Sequence, residues 1–257
     1  MKVHRWAVLL GVFFLPLLLI TNGFCQGNEG AVTTLQKVDQ LLNQGGNQQA
    51  LQLLQQLPED TEKLWRMARV QYEMGRIAES TSLRMGFFRK VEKYARAVIA
   101  TDSNDSEGYK WLAIGLGAQA KYTPTRVQIH QSREIKESIE RSIELNPADD
   151  MSYLVLSRWH YKISELGFFS RAIVKIVYGG LPKASLEKSE SLLWHAINLH
   201  DRIAHRHNLA KVYDRMGRRE DAIDQLRQAL SLPVTFPEEI EELGKAMKKL
   251  QKWQKQT

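Results

Sequence analysis

The strongest constraint on the fold is a pattern of small and large apolar residues that recurs along the chain. Its clearest copy lies in the stretch HNLAKVYDRMGRREDAIDQLRQALSL, where apolar residues have the spacing of two consecutive amphipathic helices. Self-similarity of this kind is typical of stacked structural units, so the chain is predicted to be a helical-repeat array. The pattern positions of this copy are Leu209, Ala210, Tyr213, Gly217, Ala222, Leu226 and Ala229.

Four further copies precede this one. They contain the stretches VDQLLNQGGNQQALQLLQQL, LWRMARVQYEMG, YKWLAIGLG and MSYLVLSRWH. The pattern matches the tetratricopeptide repeat, in which two antiparallel helices, here called A and B, cross where small residues lie. The sequence therefore predicts an all-α, tetratricopeptide-like helical-repeat solenoid. Residues 26–236 would form five repeats with about ten helices, and residues 237–257 would form a C-terminal capping helix.

The spacing within the repeats differs between the centre of the array and its ends. From the late position of helix A to the middle of helix B, the first and last repeats span 13 residues, whereas the three central repeats span 22, 23 and 33. Insertions at one place in successive repeats lie on one edge of a solenoid. We expect the two shorter insertions to be shared between their A and B helices, which predicts lengthened central helix pairs and a groove or pocket along that edge.

Residues 1–25 have the pattern of an export signal: a basic start, a short apolar run, and Gly23 and Cys25 before a cut at Gln26. An uncleaved membrane anchor is the alternative, because no residue from 6 to 25 is charged. We expect the protein to be exported, either periplasmic or secreted. The mature chain would then contain no cysteine, which excludes disulfides and thiol catalysis, and it would be mildly basic.

Several stretches resemble the regulator of microtubule dynamics family: LWRMARVQYEMG, YKWLAIGLG, REIKESIERSIELNPADD, SRWHYKISELGFFSRAIVKIVYGGLPKASLEKS and AKVY. The fourth repeat with its insertion is the most specific part, because generic tetratricopeptide proteins lack it. The resemblance implies a non-enzymatic helical-repeat protein. Family members are linked to microtubules and spindle poles, and one tethers mitochondria to the endoplasmic reticulum and binds phospholipid through this domain.

Catalytic motifs are few and weak. The run Gly115-Leu116-Gly117-Ala118-Gln119-Ala120 reads as GxGxxA, but it lies in a repeat helix without the preceding strand that a dinucleotide site needs, so small residues at a helix crossing explain it better. His195, His200, His205 and His207 lie close in sequence, yet none pairs with another at i,i+4, and a solvated turn is the simpler interpretation. We expect no enzyme activity, cofactor or metal.

Two GFF segments lie in the insertion zones and are followed by basic residues. One interpretation is that the phenylalanines cap the ends of lengthened helices. The other is an apolar lip with basic residues that receives an acyl chain and its anionic head group, as on membrane-surface helices. The candidate ligand- or partner-binding residues are Phe87, Phe88, Arg89 and Lys90 in the first segment, and Phe168, Phe169, Arg171, Lys175 and Tyr178 in the second.

Two binding functions follow from these features. The first is protein scaffolding through a groove lined by the A helices, and the second is binding or transfer of an anionic phospholipid or another hydrophobic ligand. The C-terminal segment has glutamates at its start and lysines at its end, which matches the helix dipole, so a solvated capping helix explains its charge better than a nucleic-acid site.

Overall fold

The computed structural model describes residues 21–165 and 183–254, which contain eleven α-helices and no strand. The predicted all-α helical-repeat solenoid is confirmed. The helices are α1 (Thr21–Asn43), α2 (Asn47–Gln56), α3 (Thr61–Ile77), α4 (Thr81–Thr101), α5 (Ser106–Ala120), α6 (Thr125–Leu145), α7 (Asp150–Ser164), α8 (Leu186–Leu199), α9 (Ile203–Arg215), α10 (Arg219–Ser231) and α11 (Pro237–Gln254). None of these helices is long and apolar enough to span a membrane.

Helices α1 to α10 pack as five consecutive A–B pairs. Each described helix contacts the next described one, and the A helices α3, α5, α7 and α9 also contact the A helix of the neighbouring pair. Helix α11 packs against both helices of the last pair. The buried apolar side chains form three clusters that follow the stack from α1 to α11. Each pair thus covers the apolar faces of its neighbours, as in other solenoids.

Side-chain caps define where several helices begin. Asp60 accepts a hydrogen bond from the backbone N–H of Lys63 at 2.7 Å, and Ser185 accepts one from Lys188 at 3.1 Å. Ser80 and Asp149 cap α4 and α7 in the same way. These residues satisfy N–H groups that lack a partner within the helix. The helix that precedes Pro147 ends at Leu145, as the sequence Asn146-Pro147 indicates.

The A–B turns of the first and last repeats depend on glycine. Gly45 and Gly217 have φ angles of 78° and 80°, a region that side chains with a Cβ atom seldom adopt. Gly75 has the same place in the second repeat, but there it lies within α3, which continues to Ile77. The A helix of that central repeat therefore continues through the point at which the short repeats turn.

The inserted residues mainly lengthen the B helices. Helices α4 and α6 each contain 21 residues, whereas α2 and α10 contain 10 and 13. The A helices of the same repeats have 17 and 15 residues, against 13 in α9. The insertions are therefore shared between the A and B helices, as expected, but the B helices contain most of the added residues. The second B helix grows because Phe88 packs against Gly75, which holds the added turns of α4 along α3.

Small residues lie where successive helices cross most closely. A Cβ atom on Gly115 would be 2.9 Å from Val91 Cγ1, and one on Gly108 would be 2.9 Å from Val98 Cγ1. The GxGxxA run therefore lies within α5, against α4, and Gly115 serves the helix crossing expected from the sequence.

Replacing Ala222 with leucine should test the assigned register of the last repeat. Ala222 is fully buried among Leu209, Ala210, Tyr213 and Leu226. Overpacking this site should lower the free energy of unfolding by about 1–3 kcal/mol, which a thermal or urea melt would measure. The control is Ala100→Leu on the exposed side of α4. Equal stability of the two variants would mean that Ala222 does not lie at a tight crossing.

Candidate functional site

The first GFF segment lies near the start of α4, and its two phenylalanines differ in burial. Phe88 is 5% exposed, and its ring centroid lies 6.0 Å from that of Tyr72 and 6.4 Å from that of Tyr122. A Cβ atom on Gly75 would be only 2.6 Å from the Phe88 ring. The burial of Phe88 favours the structural interpretation of this residue, although it packs against α3 instead of capping a helix end.

The remaining residues of this segment are more accessible. Arg89 and Lys90 are exposed, and Phe87 is half-buried with Lys90 Nζ 5.5 Å from its ring centroid. This arrangement brings Phe87 and Lys90 together and leaves both bases in solvent. The candidates Phe168, Phe169, Arg171, Lys175 and Tyr178 lie outside the described residues.

Exposed apolar side chains accompany these bases on the A–B edge of the central repeats. Ile77 is 71% exposed, Leu83 56% and Val127 40%, and all three lie close to an A–B turn. A hydrogen bond from Arg84 to the Tyr122 hydroxyl, at 3.4 Å, connects the edges of the second and third repeats. The edge thus combines apolar and basic groups at the surface.

A second surface, which sequence reasoning missed, lies where the A helices of the last two repeats meet. We define this α7–α9 face by Arg158 and Tyr161 on α7 and by Asn208 and Lys211 on α9. Arg158 is exposed, and its Nε donates to Asn208 Oδ1 at 3.2 Å. The buried Asn208 amide in turn donates to the Ala204 carbonyl at 2.7 Å, which fixes its orientation. Asn208 therefore holds the Arg158 side chain in place.

Lys211 lies beside an aromatic ring and among charges of both signs. Its Nζ lies 5.2 Å from the centroid of the Tyr161 ring. Burial lowers the pKa of Lys211, and the positive charges of Arg158 and Lys249 lower it further, against the opposing effect of Glu242 and Glu165. In the described part of the chain, no carboxylate forms an ion pair with Lys211 or Arg158. These two cations thus lie together on this face, and the described carboxylates do not pair with them.

The nearby carboxylates are engaged elsewhere. Glu242 on α11 pairs with His207, and Asp214 lies 3.0 Å from Lys249. Burial raises the pKa of Glu242, but the hydrogen bond from His207 and the charge of Arg158 lower it to about 2. Glu242 is therefore a carboxylate at neutral pH and belongs to the His207 pair. Arg158 lowers the pKa of Glu242 and Glu242 raises that of Lys211, so Glu242 offsets part of the positive charge on this face without pairing with either cation.

The repeat pattern contains a signal for this surface. Arg158 follows the small pattern residue Ser157, and Lys211 follows Ala210 at the same place in the next repeat. Arg69 follows Ala68 in the second repeat. The same position holds Ile114 in the third repeat and Asp39 in the first, so the sequence indicates basic residues there in three of the five repeats but not a continuous basic row.

The histidine-rich stretch is not a solvated turn, and that expectation was wrong for two of its members. His205 is completely buried, and His207 is 5% exposed. His205 Nδ1 lies 2.8 Å from the His200 carbonyl oxygen, and its Nε2 lies 3.2 Å from Asp150 Oδ2. Asp150 accepts a hydrogen bond from Arg202 Nε at 2.5 Å. The stretch is buried because it begins α9 beneath the start of α7, a contact that sequence spacing does not reveal.

Stability should decrease as the pH falls from about 6.5 to about 4. Burial lowers the pKa of His205 from 6.5 to about 4, although Asp150 and the His200 carbonyl raise it. Between these values the unfolded chain takes up a proton that the folded chain does not, so acid favours unfolding. Urea unfolding at several pH values should show this decline. It should be weaker in His205→Gln and unchanged in the control His130→Gln, which alters an exposed residue on α6. A pH profile equal to that of the wild type in His205→Gln would assign the effect to other groups.

Two depressions in the described surface have charged residues in their linings. One, of about 310 Å³, is lined by residues that include His200, Arg202, Phe236 and Glu239. The other, of about 450 Å³, lies against Arg96, Tyr109, Glu134 and Glu137. Both are open, and neither is the closed apolar cavity that would favour a lipid. Within residues 21–165 and 183–254, no group of three or more histidine, cysteine, aspartate or glutamate side chains could hold a metal ion.

The fold and the face on its A helices define a tetratricopeptide-like helical-repeat protein. A solved thermophilic tetratricopeptide-repeat protein from Thermus thermophilus has the same fold, with a TM-score of 0.62 and 20% sequence identity. The match covers 84% of this chain and 97% of that protein.

The sequence comparisons identify the family. The model of regulator of microtubule dynamics proteins 1–3 matches residues 34–254, so the chain belongs to this family. Regulator of microtubule dynamics protein 3 of Xenopus laevis is 30% identical over 70% of this chain and 39% of its own length. Protein 1 of Bos taurus is 28% identical over 60% of this chain and 50% of its own length. The matched region thus spans half or less of these two relatives, and the family resemblance seen in the sequence is confirmed.

Proposed function

We propose that the chain is a non-enzymatic scaffold that binds a protein partner on the exposed faces of its A helices. The observation that carries this proposal is the α7–α9 face, where Arg158 and Lys211 lie on two neighbouring A helices and pair with none of the described carboxylates. Helical-repeat proteins present extended surfaces of this kind to their ligands. The membership of the chain in a family of regulators supports a binding role.

A display selection with random 15-residue peptides on the full-length chain would test this function. The scaffold proposal predicts that peptides are enriched and that bound peptide protects amides of α7 and α9 from hydrogen exchange. A selection that enriches no peptide, or protection only on the B helices, would contradict it.

Microtubules are the partner that the family name suggests, and this is a proposal for the present chain. Co-sedimentation with stabilised microtubules would test it. The proposal predicts that the protein pellets with the polymer in a saturable way. Protein that stays in the supernatant at all polymer concentrations would exclude a direct contact.

Binding of an anionic lipid is a second candidate, and the A–B edge of the central repeats supports it. There the exposed Ile77, Leu83 and Val127 accompany the exposed bases Arg89 and Lys90. The sequence also places Arg171 and Lys175 in the longest insertion. The double change Arg171→Gln/Lys175→Gln should weaken binding to acidic liposomes without lowering the melting temperature, and salt should reduce the difference. Absence of wild-type binding at low salt would eliminate the lipid candidate.

Export is the localisation that we propose for the protein, with cleavage of the signal before Gln26. Helix α1 begins at Thr21, so the proposed cleavage point lies within a helix of the full chain. Sequencing of the N-terminus from the native source should find Gln26. If Met1 is found on membrane-bound protein, the N-terminal segment is an uncleaved membrane anchor, and the export proposal is wrong.

A further inference from the structure

Helix α11 contacts both ends of the repeat array. Its second half is anchored at the C-terminal end, because Ala246, Leu250 and Trp253 are buried in the apolar cluster of the last two repeats. Its first half reaches the second repeat, where Arg76 near the end of α3 donates a hydrogen bond to Glu241 at 2.9 Å. These two residues are separated by 165 positions in the chain.

A second contact joins α11 to the first repeat. A Cβ atom on Gly45, in the turn between α1 and α2, would lie 3.7 Å from Pro237 Cγ and 4.0 Å from Pro237 Cβ. Gly45 and Arg76 both lie where an A helix ends. Helix α11 therefore joins the last repeat to the A-helix ends of the first two repeats. A helix that only covers the apolar face of the last repeat would not make these contacts.

The two halves of α11 differ in how firmly they are held. In the first half, Ile240 is 63% exposed, the side chain of Glu241 is 57% exposed, and a Cβ atom on Gly244 would have no described atom within 4 Å. Exposed ion pairs contribute little to stability. The first half can therefore leave the first two repeats while the second half stays in the core.

We propose that α11 is a strap that closes the repeat array by docking its first half on the first two repeats, and that the docked strap forms one side of the α7–α9 face. This inference rests on the proposed scaffold function, because it states in which form the scaffold takes its partner. His207 on α9 pairs with Glu242, which places the middle of α11 beside the face. Glu242 and Lys249 of the strap both affect the pKa of Lys211. A peptide on the face therefore contacts the strap as well.

Contact with the docked strap has a thermodynamic consequence. A ligand that contacts α11 in its docked position shifts the strap toward that position, and docking in turn favours the ligand by the same factor. The partner that fits this arrangement is a peptide segment that binds beside α11. A helix that takes the place of α11 against the A helices would have the opposite effect on the strap.

An engineered disulfide tests whether the strap is docked. In a Cys25→Ser chain, Gly45→Cys/Pro237→Cys would place two Cβ atoms about 4.0 Å apart, a separation that a disulfide spans. Mild oxidation should link these cysteines in most molecules, which a non-reducing gel would show. In the control Gly45→Cys/Lys252→Cys, the second cysteine lies about 22 Å further along α11 and should stay unlinked. Both variants carry the same backbone strain at Gly45, where φ is 78°.

The linked protein also tests the coupling to partner binding. Peptides selected by display on the wild-type chain should bind oxidised Gly45→Cys/Pro237→Cys at least as tightly as the reduced form, as measured by fluorescence anisotropy. Comparison of the two forms of one variant cancels the effects of the substitutions themselves. In the wild type, the same peptides should slow amide exchange in α11.

Hydrogen exchange without peptide gives an independent measure of the strap. Arg76→Gln should speed exchange in residues 237–244 a few-fold, as expected for the loss of an exposed ion pair. The matched control is Arg96→Gln, because Arg96 also has one carboxylate partner in its own helix and one in another helix. This control should leave exchange in residues 237–244 unchanged.

The outcomes separate the strap from the scaffold function. Absence of a link in Gly45→Cys/Pro237→Cys, or equal linking in the control, would overturn the strap and leave the scaffold in place. A linked chain that loses its peptide would show that the partner replaces α11, and this would also overturn the inference. Failure to enrich any peptide would end the scaffold proposal and the coupling, even where the disulfide forms. Should the cysteine variants fail to fold, equal exchange in Arg76→Gln and Arg96→Gln would overturn the strap.

Discussion

Replacing Phe88 with alanine is expected to lower the free energy of unfolding by about 3–5 kcal/mol, the usual cost of removing a buried aromatic ring. Phe88 is 5% exposed and fills the space beside Gly75, between the rings of Tyr72 and Tyr122. The vacated site has little freedom to collapse, because α3 and α4 are held together along their length. Urea unfolding of the full-length chain would measure the loss.

The neighbouring Phe87→Ala is the control for this change. Phe87 is half-buried and contacts Lys90, so its removal should cost clearly less than that of Phe88. If Phe88→Ala left stability unchanged, the ring would not be part of the core, and a direct role in ligand binding would regain support.

Replacing Trp159 with alanine should have a similarly large effect, about 3–5 kcal/mol. Trp159 on α7 is 6% exposed, and its indole Nε1 donates to the Ser132 carbonyl on α6 at 2.8 Å. The side chain therefore joins the third repeat to the fourth. Trp159→Phe loses the hydrogen bonds to Ser132 and leaves a smaller cavity than alanine does, so it should cost less than Trp159→Ala. Thermal and urea unfolding would show whether Trp159→Ala is less stable than Trp159→Phe.

Replacing the adjacent Arg158 with alanine should cost much less stability than Trp159→Ala. Arg158 is exposed and forms no ion pair with a described carboxylate, so its removal loses mainly the hydrogen bond to Asn208 and should cost about 1 kcal/mol. A loss comparable to that of Trp159→Ala would show that Arg158 has a structural role, and the assignment of the α7–α9 face to a ligand would lose its basis.

The repeat fold could be predicted from the sequence because its determinants are local. Small residues such as Ala210 and Ala222 recur at fixed spacing, and Asn146-Pro147 marks the end of a helix. The place of the insertions was also visible, since it follows from the same spacing. The division of the inserted residues between the A and B helices could not be predicted, because it depends on the contact of Phe88 on α4 with Gly75 on α3.

The candidate surface could not be predicted in the same way, because it joins residues that are far apart in sequence. Arg158 and Asn208 are separated by 50 positions and meet only when α7 packs beside α9. The burial of His205 likewise requires Asp150, which belongs to another repeat. Exposed charge and buried charge look alike in a single sequence, and only the packing of A helices distinguishes them.

Hydrogen exchange of the full-length chain with and without a peptide selected by display tests the central claim most directly. The claim is that this family member binds a partner on its A helices through the α7–α9 face. Peptide should slow exchange in α7, α9 and the adjoining part of α11, and Arg158→Gln/Lys211→Met should abolish this protection while leaving the exchange of the free protein unchanged. Protection that is confined to the B helices, or that persists in the double variant, would contradict the claim.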